Sequence, residues 1–293
     1  MSTDHGDPPV KLRAGERPVA TWRSGAGVED GLSPRPYLET VRTLGGTVVT
    51  EVRPEDHPHH LGVSMAVADV CGTNFWGGTT FVRGQGPTWL ANHGRQRHRE
   101  WLLDRPEHRR ELVSWQRRDG AEVFTEERDY RAVALTEFAW ALEFTTRLHN
   151  TSGGELSIGS PATNGRPDAG YGGFFWRAPI AAQPPRCFGP EGAEGEEALH
   201  GSRARWLALS GTTPGAAWTL LFTAADEAGD PWFVRAQEYP GVGASLAWDR
   251  ELAMAADARL YRSMVTVVVD GAIPATEAEK LVELARQRLT ETR

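Results

Sequence analysis

The alternation of apolar and polar residues is the clearest pattern along the chain, and it is strongest between residues 100 and 160. From Phe138 to Leu148 every second position is apolar or Thr146, and the charged residues Glu143 and Arg147 lie between them. A period of two sustained in this way is typical of a half-buried β-strand. Shortly before it, Asp119-Gly120 predicts a hairpin turn, because both residues tolerate positive φ. The region therefore predicts long antiparallel strands.

One helix is predicted, over residues 276–291. Thr276 and Glu279 form a capping box, and an apolar stripe follows at helical spacing: Ala278, Leu281, Val282, Ala285 and Leu289. Strands and helices do not alternate, and the sequence has no GxGxxG or P-loop motif, so a nucleotide-binding α/β fold and a nucleotide cofactor are disfavoured. The predicted fold class is all-β: a large antiparallel β-sandwich with a C-terminal helix packed outside.

The distribution of Gly, Pro and charge predicts the domain organisation. Residues 1–33 are expected to form a partly ordered N-terminal arm with edge strands, and residues 34–293 a single β-sandwich domain that includes the helix. The segment 184–200 is rich in Pro, Gly and Glu, which is typical of an exposed loop and makes it a candidate lid.

Composition and charge narrow the partners. The net charge of −7 disfavours nucleic acid and anionic membrane surfaces, which need a basic face. No apolar run approaches the roughly 18 residues of a membrane span, and residues 1–9 lack the apolar centre of a secretion signal. Cys71 and Cys187 are too few for a disulfide framework. A cytoplasmic protein with two free thiols is predicted, and a single disulfide between them is the alternative.

Tryptophan is unusually frequent, with eleven residues against five tyrosines. Large β-sheets pack many aromatic side chains into their cores, which explains such a count without any ligand. A sugar-binding cleft, in which indole faces meet the C–H face of a pyranose, is the alternative.

Histidines are concentrated between Asp56 and His98, where five of the nine occur: His57, His59, His60, His93 and His98. Side chains two positions apart share a face of extended backbone, so His57 and His59 are expected on one side and His60 on the other. That pair could hold one divalent metal ion with His98, or with His93 or Glu126, as the third ligand. Metal-free acid–base catalysis and purely structural hydrogen bonding are the alternatives.

Candidate site residues follow from this chemistry. Histidine titrates near neutral pH without a pKa shift, whereas a carboxylate must be buried to do so. The predicted catalytic residues are His57, His59, His98, Asp56 and Glu126, and further candidate partners for acid–base catalysis are Glu127, Glu143 and Asp168. Groups that could hydrogen-bond to a sugar or stack on it are predicted to bind substrate: Arg53, His60, Trp76, His93, Arg95, Asn164, Tyr171, Trp176 and Arg177. The glycines around Tyr171 are equally typical of a bulged strand with core aromatics.

Several motifs together resemble the PmoA-like family of bacterial proteins, often labelled methane oxygenase PmoA. The resemblance extends from about Arg35 to Gly271 and rests on the following segments: Arg35-Pro36-Tyr37, Asp56-His57-Pro58-His59-His60-Leu61-Gly62, Asn74-Phe75-Trp76, Gly94-Arg95 with His98, Asn164-Gly165, and Tyr171-Gly172-Gly173-Phe174-Phe175-Trp176-Arg177.

The resemblance implies a role in sugar metabolism. It suggests a fold similar to the galactose-mutarotase supersandwich, a functional link to sugar dehydrogenases of the Gfo/Idh/MocA type, and activity on 3-keto-glycosides. The first hypothesis is therefore a carbon–oxygen lyase or hydrolase that acts on a sugar or 3-keto-glycoside, in which the histidines either hold a divalent metal or act directly. The alternatives are a sugar epimerase or mutarotase, and a carbohydrate-binding protein without catalysis.

Overall fold

Two large sheets stacked face to face form the body of the protein in a computed structural model that describes residues 8–226 and 229–291. The seven-stranded sheet consists, in spatial order, of β1 (Val10–Ala14), β2 (Arg17–Arg23), β3 (Tyr37–Glu39), β4 (Val63–Ala66), β13 (Gly173–Arg177), β18 (Gly241–Ser245) and β17 (Trp232–Arg235). The eight-stranded sheet consists of β14 (Arg186–Phe188), β15 (Leu207–Thr213), β16 (Ala216–Ala224), β20 (Arg259–Asp270), β11 (Ala139–Asn150), β10 (Glu122–Ala134), β9 (His108–Gln116) and β8 (Arg95–Arg105).

Smaller elements complete the fold. A three-stranded sheet contains β19 (Leu252–Met254), β12 (Leu156–Gly159) and β5 (Asp69–Val70), and a hairpin pairs β6 (Thr80–Val82) with β7 (Gly86–Thr88). The helices are α1 (Glu196–Leu199), α2 (Ala275–Glu291) and two 3-10 turns, Asp30–Leu32 and Pro190–Gly192. All strand pairs within the named sheets are antiparallel, which confirms the predicted large antiparallel β-sandwich.

The strand with the clearest period of two is β11, which begins and ends close to where the pattern predicts. It is buried on both faces, however, and the prediction of a half-buried strand is wrong. β11 lies between β10 and β20 in the middle of its sheet, and α2 covers the outer face. Glu143, on that outer face, is buried beside Arg131. A charged residue within a strand does not show whether that face reaches water, because a partner from a neighbouring strand can neutralise it.

The main core lies between the two sheets and contains most of the tryptophans. Its fully buried indoles include Trp22, Trp115, Trp140, Trp176 and Trp218. For these residues, packing in the core of the sandwich therefore accounts for the high tryptophan count.

The C-terminal helix packs on the outer face of the eight-stranded sheet through the predicted apolar stripe, Ala278, Leu281, Val282, Ala285 and Leu289. It begins at Ala275, one residue before the predicted start, because the carbonyl of Pro274 already accepts hydrogen bonds from Glu277 N and Ala278 N. No helix within residues 8–226 and 229–291 is long and apolar enough to cross a membrane.

In the N-terminal region, residues 1–7 of the predicted arm lie outside the described residues. Beyond them, β1 forms the edge of the seven-stranded sheet and pairs with β2, which in turn pairs with β3. Within residues 1–33, β1 is therefore an edge strand, whereas β2 lies one position further into the sheet.

The outer face of the seven-stranded sheet is the floor of the candidate site. Along β13 the side chains alternate: Phe174 and Trp176 enter the main core, whereas Phe175 belongs to a separate aromatic cluster on the outside. Glycines in the neighbouring β18 leave room for this cluster. A Cβ at Gly241 would lie 2.9 Å from the Tyr239 ring and 3.2 Å from that of Phe175.

Candidate functional site

A cleft of about 900 Å³ opens over this outer face, a size suited to a small-molecule ligand. Histidines and aromatic residues line one part of it: His57, His59, His60, Trp76, Tyr171 and Tyr239. Charged and polar residues line the remainder, including Arg166, Asp168, Glu196, Glu197, His200, Arg235 and Glu238. The cleft thus combines aromatic surface with hydrogen-bonding groups.

The three clustered histidines are carried by two consecutive turns, not by extended backbone. His57 N donates to the Pro54 carbonyl at 3.1 Å, and His60 N donates to the His57 carbonyl at 2.9 Å. These turns bring all three rings together, so the expectation that His60 points away is wrong. The rings of His57 and His60 stack at 4.6 Å with 15° between their planes, and the His59 ring lies 4.7 Å from that of His60.

Asp56 and His57 form a dyad at the cleft, joined by a 2.7 Å contact between Oδ2 and Nδ1. Burial raises the pKa of Asp56, but the hydrogen bond from His57 and the charge of Arg177 outweigh it and lower that pKa overall. The carboxylate is therefore ionised and can only accept, so the proton of neutral His57 lies on Nδ1. Nε2 is left as a base, with the ring one-third exposed.

His59 and His60 are uncharged at neutral pH. Burial, followed by the positive charge of Arg35, lowers the pKa of His59 to about 3. Burial and the neighbouring histidines lower the pKa of His60 well below its usual value, and Arg177 adds to the effect. Two neutral imidazoles beside a dyad can hydrogen-bond to a ligand without competing for the proton of the dyad.

Arg35 connects the two loops that form this part of the cleft. Its guanidinium is fully buried and donates to the carbonyls of His59 at 2.7 Å and Trp76 at 3.0 Å. Its Nε donates to Ser64 Oγ on β4 at 3.1 Å. Burial, then the charge of Arg128, lowers its pKa to about 9. Arg35 is absent from the residues predicted for the site, because its role is to hold backbone and only the folded chain brings those carbonyls to it.

The opposite wall contains residues that the sequence analysis also missed. His200, directly after α1, accepts a hydrogen bond from Val234 N at Nδ1 (3.1 Å), and its Nε2 donates to the Asp168 carbonyl at 2.9 Å. Glu196 pairs with Arg235 at 3.5 Å. These contacts join α1, β17 and the 166–171 loop. The Pro-, Gly- and Glu-rich composition of 184–200 predicted an exposed loop, whereas this segment contains β14, a 3-10 turn and α1. No local pattern points to the partners of His200 and Glu196.

Four more residues predicted for the site also line the cleft or contact its lining. Trp76 and Tyr171 line it, and their rings lie 4.6 Å apart. Arg177 is fully buried beneath it and contacts Asp56 and His60. Arg53 is exposed, and its backbone N–H donates to the His60 carbonyl at 2.8 Å.

Two predicted site residues lie inside the sandwich. Trp176 is fully buried, and its Nε1 donates to the Val49 carbonyl at 2.9 Å. Glu126 is also fully buried and accepts hydrogen bonds from Trp115 at 2.8 Å and Arg128 at 2.9 Å. Both residues occupy positions of their strands whose side chains point into the core. A side chain fully buried inside the sandwich cannot contact a ligand in the cleft, so the structure does not support Trp176 as a substrate-binding residue or Glu126 as a catalytic residue.

The remaining candidates lie at other positions. His93 Nε2 contacts the Gly78 carbonyl at 2.7 Å, and Arg95 lies 3.9 Å from Asp30. Asn164 donates to Asp69 at 3.0 Å beside a separate small cavity. None of these three lines the cleft.

His98 does not reach the histidine cluster. Its Nδ1 contacts the buried Glu111 at 2.7 Å, and its ring packs 5.0 Å from that of Trp22. The predicted divalent-metal triad of His57, His59 and His98 is therefore not assembled. Within residues 8–226 and 229–291, no three His, Cys, Asp or Glu side chains could hold a metal ion. The residues present do not fit the predicted metal.

Comparison with known proteins places the chain in a family. Residues 9–283 match DUF6807, a family of unknown function, and the protein belongs to it. The match covers nearly the whole chain and gives no support to the PmoA-like label specifically. No curated protein matches the sequence.

Two solved structures show partial likeness. One is a crystal structure from Escherichia coli K12 with the provisional description of aldose 1-epimerase. It has 12% identity and a TM-score of 0.43, over 89% of this chain and 98% of that one. The other is a heparinase III, with 9% identity and a TM-score of 0.24, over 60% of this chain and 21% of that one. At these TM-scores neither likeness bears on function.

Proposed function

We propose that this protein is an acid–base enzyme that acts on a sugar, an aldose epimerase of the mutarotase type. The observation that carries the proposal is the Asp56–His57 dyad, which presents an unprotonated Nε2 to a cleft of about 900 Å³. A histidine held in one tautomer by a carboxylate is suited to general-base catalysis near neutral pH.

The lining of the cleft supports a carbohydrate ligand. Trp76, Tyr171 and Tyr239 contribute aromatic side chains to its lining, and such side chains can pack against the apolar side of a pyranose. Arg166, Asp168 and Glu238 offer donors and acceptors to its hydroxyl groups. A binding site with both kinds of surface can hold and orient a sugar ring.

The proposed reaction requires one proton shuttle and no co-reactant. His57 Nε2 takes the proton from the C1 hydroxyl of the cyclic sugar. The C1–O5 bond breaks, its electron pair moves to O5, and the same proton passes from His57 to O5. The resulting open-chain aldehyde rotates about C1–C2 and closes on either face by the reverse steps. Asp56 stabilises the imidazolium that forms between the two transfers.

The lyase or hydrolase activity on 3-keto-glycosides remains a prediction. It would use the same base, because removal of the C2 proton beside a C3 carbonyl also requires an unprotonated imidazole. The two reactions differ in product: anomer exchange leaves the sugar intact, whereas elimination releases the aglycone.

His57→Asn tests the proposal. We expect the wild type to accelerate the equilibration of freshly dissolved single-anomer aldoses, followed by polarimetry and NMR. The variant should lose at least about 100-fold in kcat, because removing a general base typically costs 10²–10⁴. The matched control is His108→Asn, which removes a histidine–carboxylate pair (Nε2 to Asp129 Oδ1, 2.8 Å) on the eight-stranded sheet, outside the cleft.

The outcomes separate the candidate functions. Equal loss in both variants, or full activity of His57→Asn, would contradict the assignment of the base. Aglycone release from 3-keto-glycosides without anomer exchange would favour the lyase. Sugar binding without turnover of either substrate would favour a carbohydrate-binding protein.

A further inference from the structure

In the stacked rings of His57 and His60, Nδ1 faces a hydrogen-bond acceptor in one ring and a hydrogen-bond donor in the other. Nδ1 of His57 faces the Asp56 carboxylate at 2.7 Å, whereas Nδ1 of His60 faces Nη1 of Arg177 at 3.1 Å. A carboxylate can only accept a hydrogen bond, and a guanidinium can only donate one. The two imidazoles, 4.6 Å apart and nearly parallel, are therefore held in opposite tautomers.

The tautomers decide what each ring offers to the cleft. His57 is protonated at Nδ1, so its Nε2 accepts. His60 must accept at Nδ1, so its proton lies on Nε2 and that atom donates. Both residues line the cleft. A base and a hydrogen-bond donor thus lie side by side, as required by a reaction that removes a proton near an oxygen on which negative charge develops.

We propose that His60 is a second catalytic residue, which donates its Nε2–H to that oxygen, and that Arg177 is the positioning residue which sets both tautomers. This inference rests on the proposed function. In the mutarotase step the oxygen is O5, which gains the electron pair of the broken C1–O5 bond. His60 keeps its proton throughout, and the proton that reaches O5 comes from His57.

The surroundings of Arg177 restrict it to this arrangement. Its side chain is fully buried, and its guanidinium carbon lies 4.7 Å from the centre of the Tyr239 ring. Nη1 contacts His60, while Nη2 lies 3.3 Å from Asp56 and 3.4 Å from Glu51. One guanidinium therefore contacts both His60 and the Asp56 carboxylate that orients His57. A lysine, with a single nitrogen, could not contact both in this geometry.

Nitrogen NMR of the wild-type protein tests the tautomers without substrate. Long-range ¹H–¹⁵N correlation of histidine side chains distinguishes Nδ1–H from Nε2–H, and the His57→Asn and His60→Gln variants assign the signals. We expect Nδ1–H for His57 and Nε2–H for His60 at neutral pH. An Nδ1–H tautomer for His60 would overturn the inference, even if the enzyme turns over sugars.

Kinetics test the catalytic role of His60 through two matched variants. Glutamine places its amide nitrogen near the position of Nε2, and asparagine places it near Nδ1. We expect His60→Asn to lose about 10²–10³-fold in kcat, the typical cost of removing one donor to a developing oxyanion, with KM changed much less. His60→Gln should retain at least ten times the kcat of His60→Asn. Equal kcat values for the two variants would overturn the role of His60.

Arg177→Lys tests the positioning role, with Arg177→Met as the variant that also removes the charge. We expect both to shift the His60 signals away from a pure Nε2–H tautomer and to lower kcat at least tenfold. If neither variant folds, the wild-type spectrum and the His60 pair still decide the inference. Unchanged His60 signals in a folded variant would overturn the role of Arg177. Absence of turnover in a wild type with the expected tautomers would contradict the proposed function alone.

Discussion

At the residue scale, burial controls the charge of the clustered histidines. His59 and His60 lie beside the buried guanidinium groups of Arg35 and Arg177, so protonation would place like charges together away from water. The pKa of His59 falls to about 3, and that of His60 falls well below 6.5. His57 is less buried and keeps access to the cleft. The same short motif thus holds one histidine that is one-third exposed and two histidines that burial keeps uncharged.

These shifts predict a loss of stability in acid. Because the folded pKa values lie below the 6.5 of an ordinary histidine, the unfolded chain binds more protons below that pH. The free energy of unfolding should therefore fall as pH decreases from about 6.5 towards 3. His59→Gln should reduce this slope, as measured by urea unfolding at a series of pH values.

His108→Gln serves as the control for that experiment, since His108 is half-buried beside Asp129 and away from the cleft. Between pH 6.5 and 3, the free energy of unfolding of His108→Gln should change more steeply with pH than that of His59→Gln. Identical slopes for the wild type and His59→Gln would show that His59 is not held neutral in the folded protein.

At the element scale, β13 connects the core to the site. Its alternation places Trp176 between the sheets and Arg177 beneath the histidine loop. The strand begins at Gly173, whose φ of +140° is unfavourable for other residues. A Cβ at this position would lie 2.2 Å from the Ala244 carbonyl oxygen of the neighbouring β18.

Gly173→Ala should therefore destabilise the protein by at least about 1–3 kcal/mol, the usual cost of a strained φ, with the backbone clash added to it. It should also lower activity, because displacement of β13 moves Arg177. Urea unfolding and the anomer assay measure the two effects. Gly154→Ala is the control, since a Cβ there has no atom within 4 Å. Equal free energies of unfolding for Gly173→Ala and Gly154→Ala would show that position 173 tolerates a side chain.

At the scale of the whole molecule, the cleft and the C-terminal helix lie on opposite outer faces of the sandwich. The cleft covers the seven-stranded sheet, and α2 covers the eight-stranded sheet through a stripe that includes Leu281, which is 2% exposed. The main core separates them. Stability and substrate binding should therefore respond separately to changes in the helix.

Leu281→Ala should lower the free energy of unfolding by about 2–5 kcal/mol, as large-to-small core substitutions do. KM for the sugar should stay unchanged in the folded variant. Glu283→Ala, at an exposed position of the same helix, should change stability by no more than about 0.5 kcal/mol. A large change of KM in Leu281→Ala would show that the two faces are coupled.

Local patterns were sufficient to predict most of the architecture. The period of two predicted the long antiparallel strands, and helical spacing predicted α2 to within one residue, because both patterns arise from the geometry of consecutive residues. The density of histidines also singled out a loop that lines the cleft. Each of these features is encoded within a short stretch of chain.

Strand order and register decided which distant residues meet, and they depend on packing across the whole sandwich. His98 lies on β8, at the edge of the eight-stranded sheet, whereas His57, His59 and His60 lie over the seven-stranded sheet. His200 and Arg235 come from later in the chain to form the opposite wall. The sequence by itself thus determined the strands, the helix and the histidine loop. Only the tertiary structure decided the partners of each side chain, because those contacts join segments that no local pattern connects.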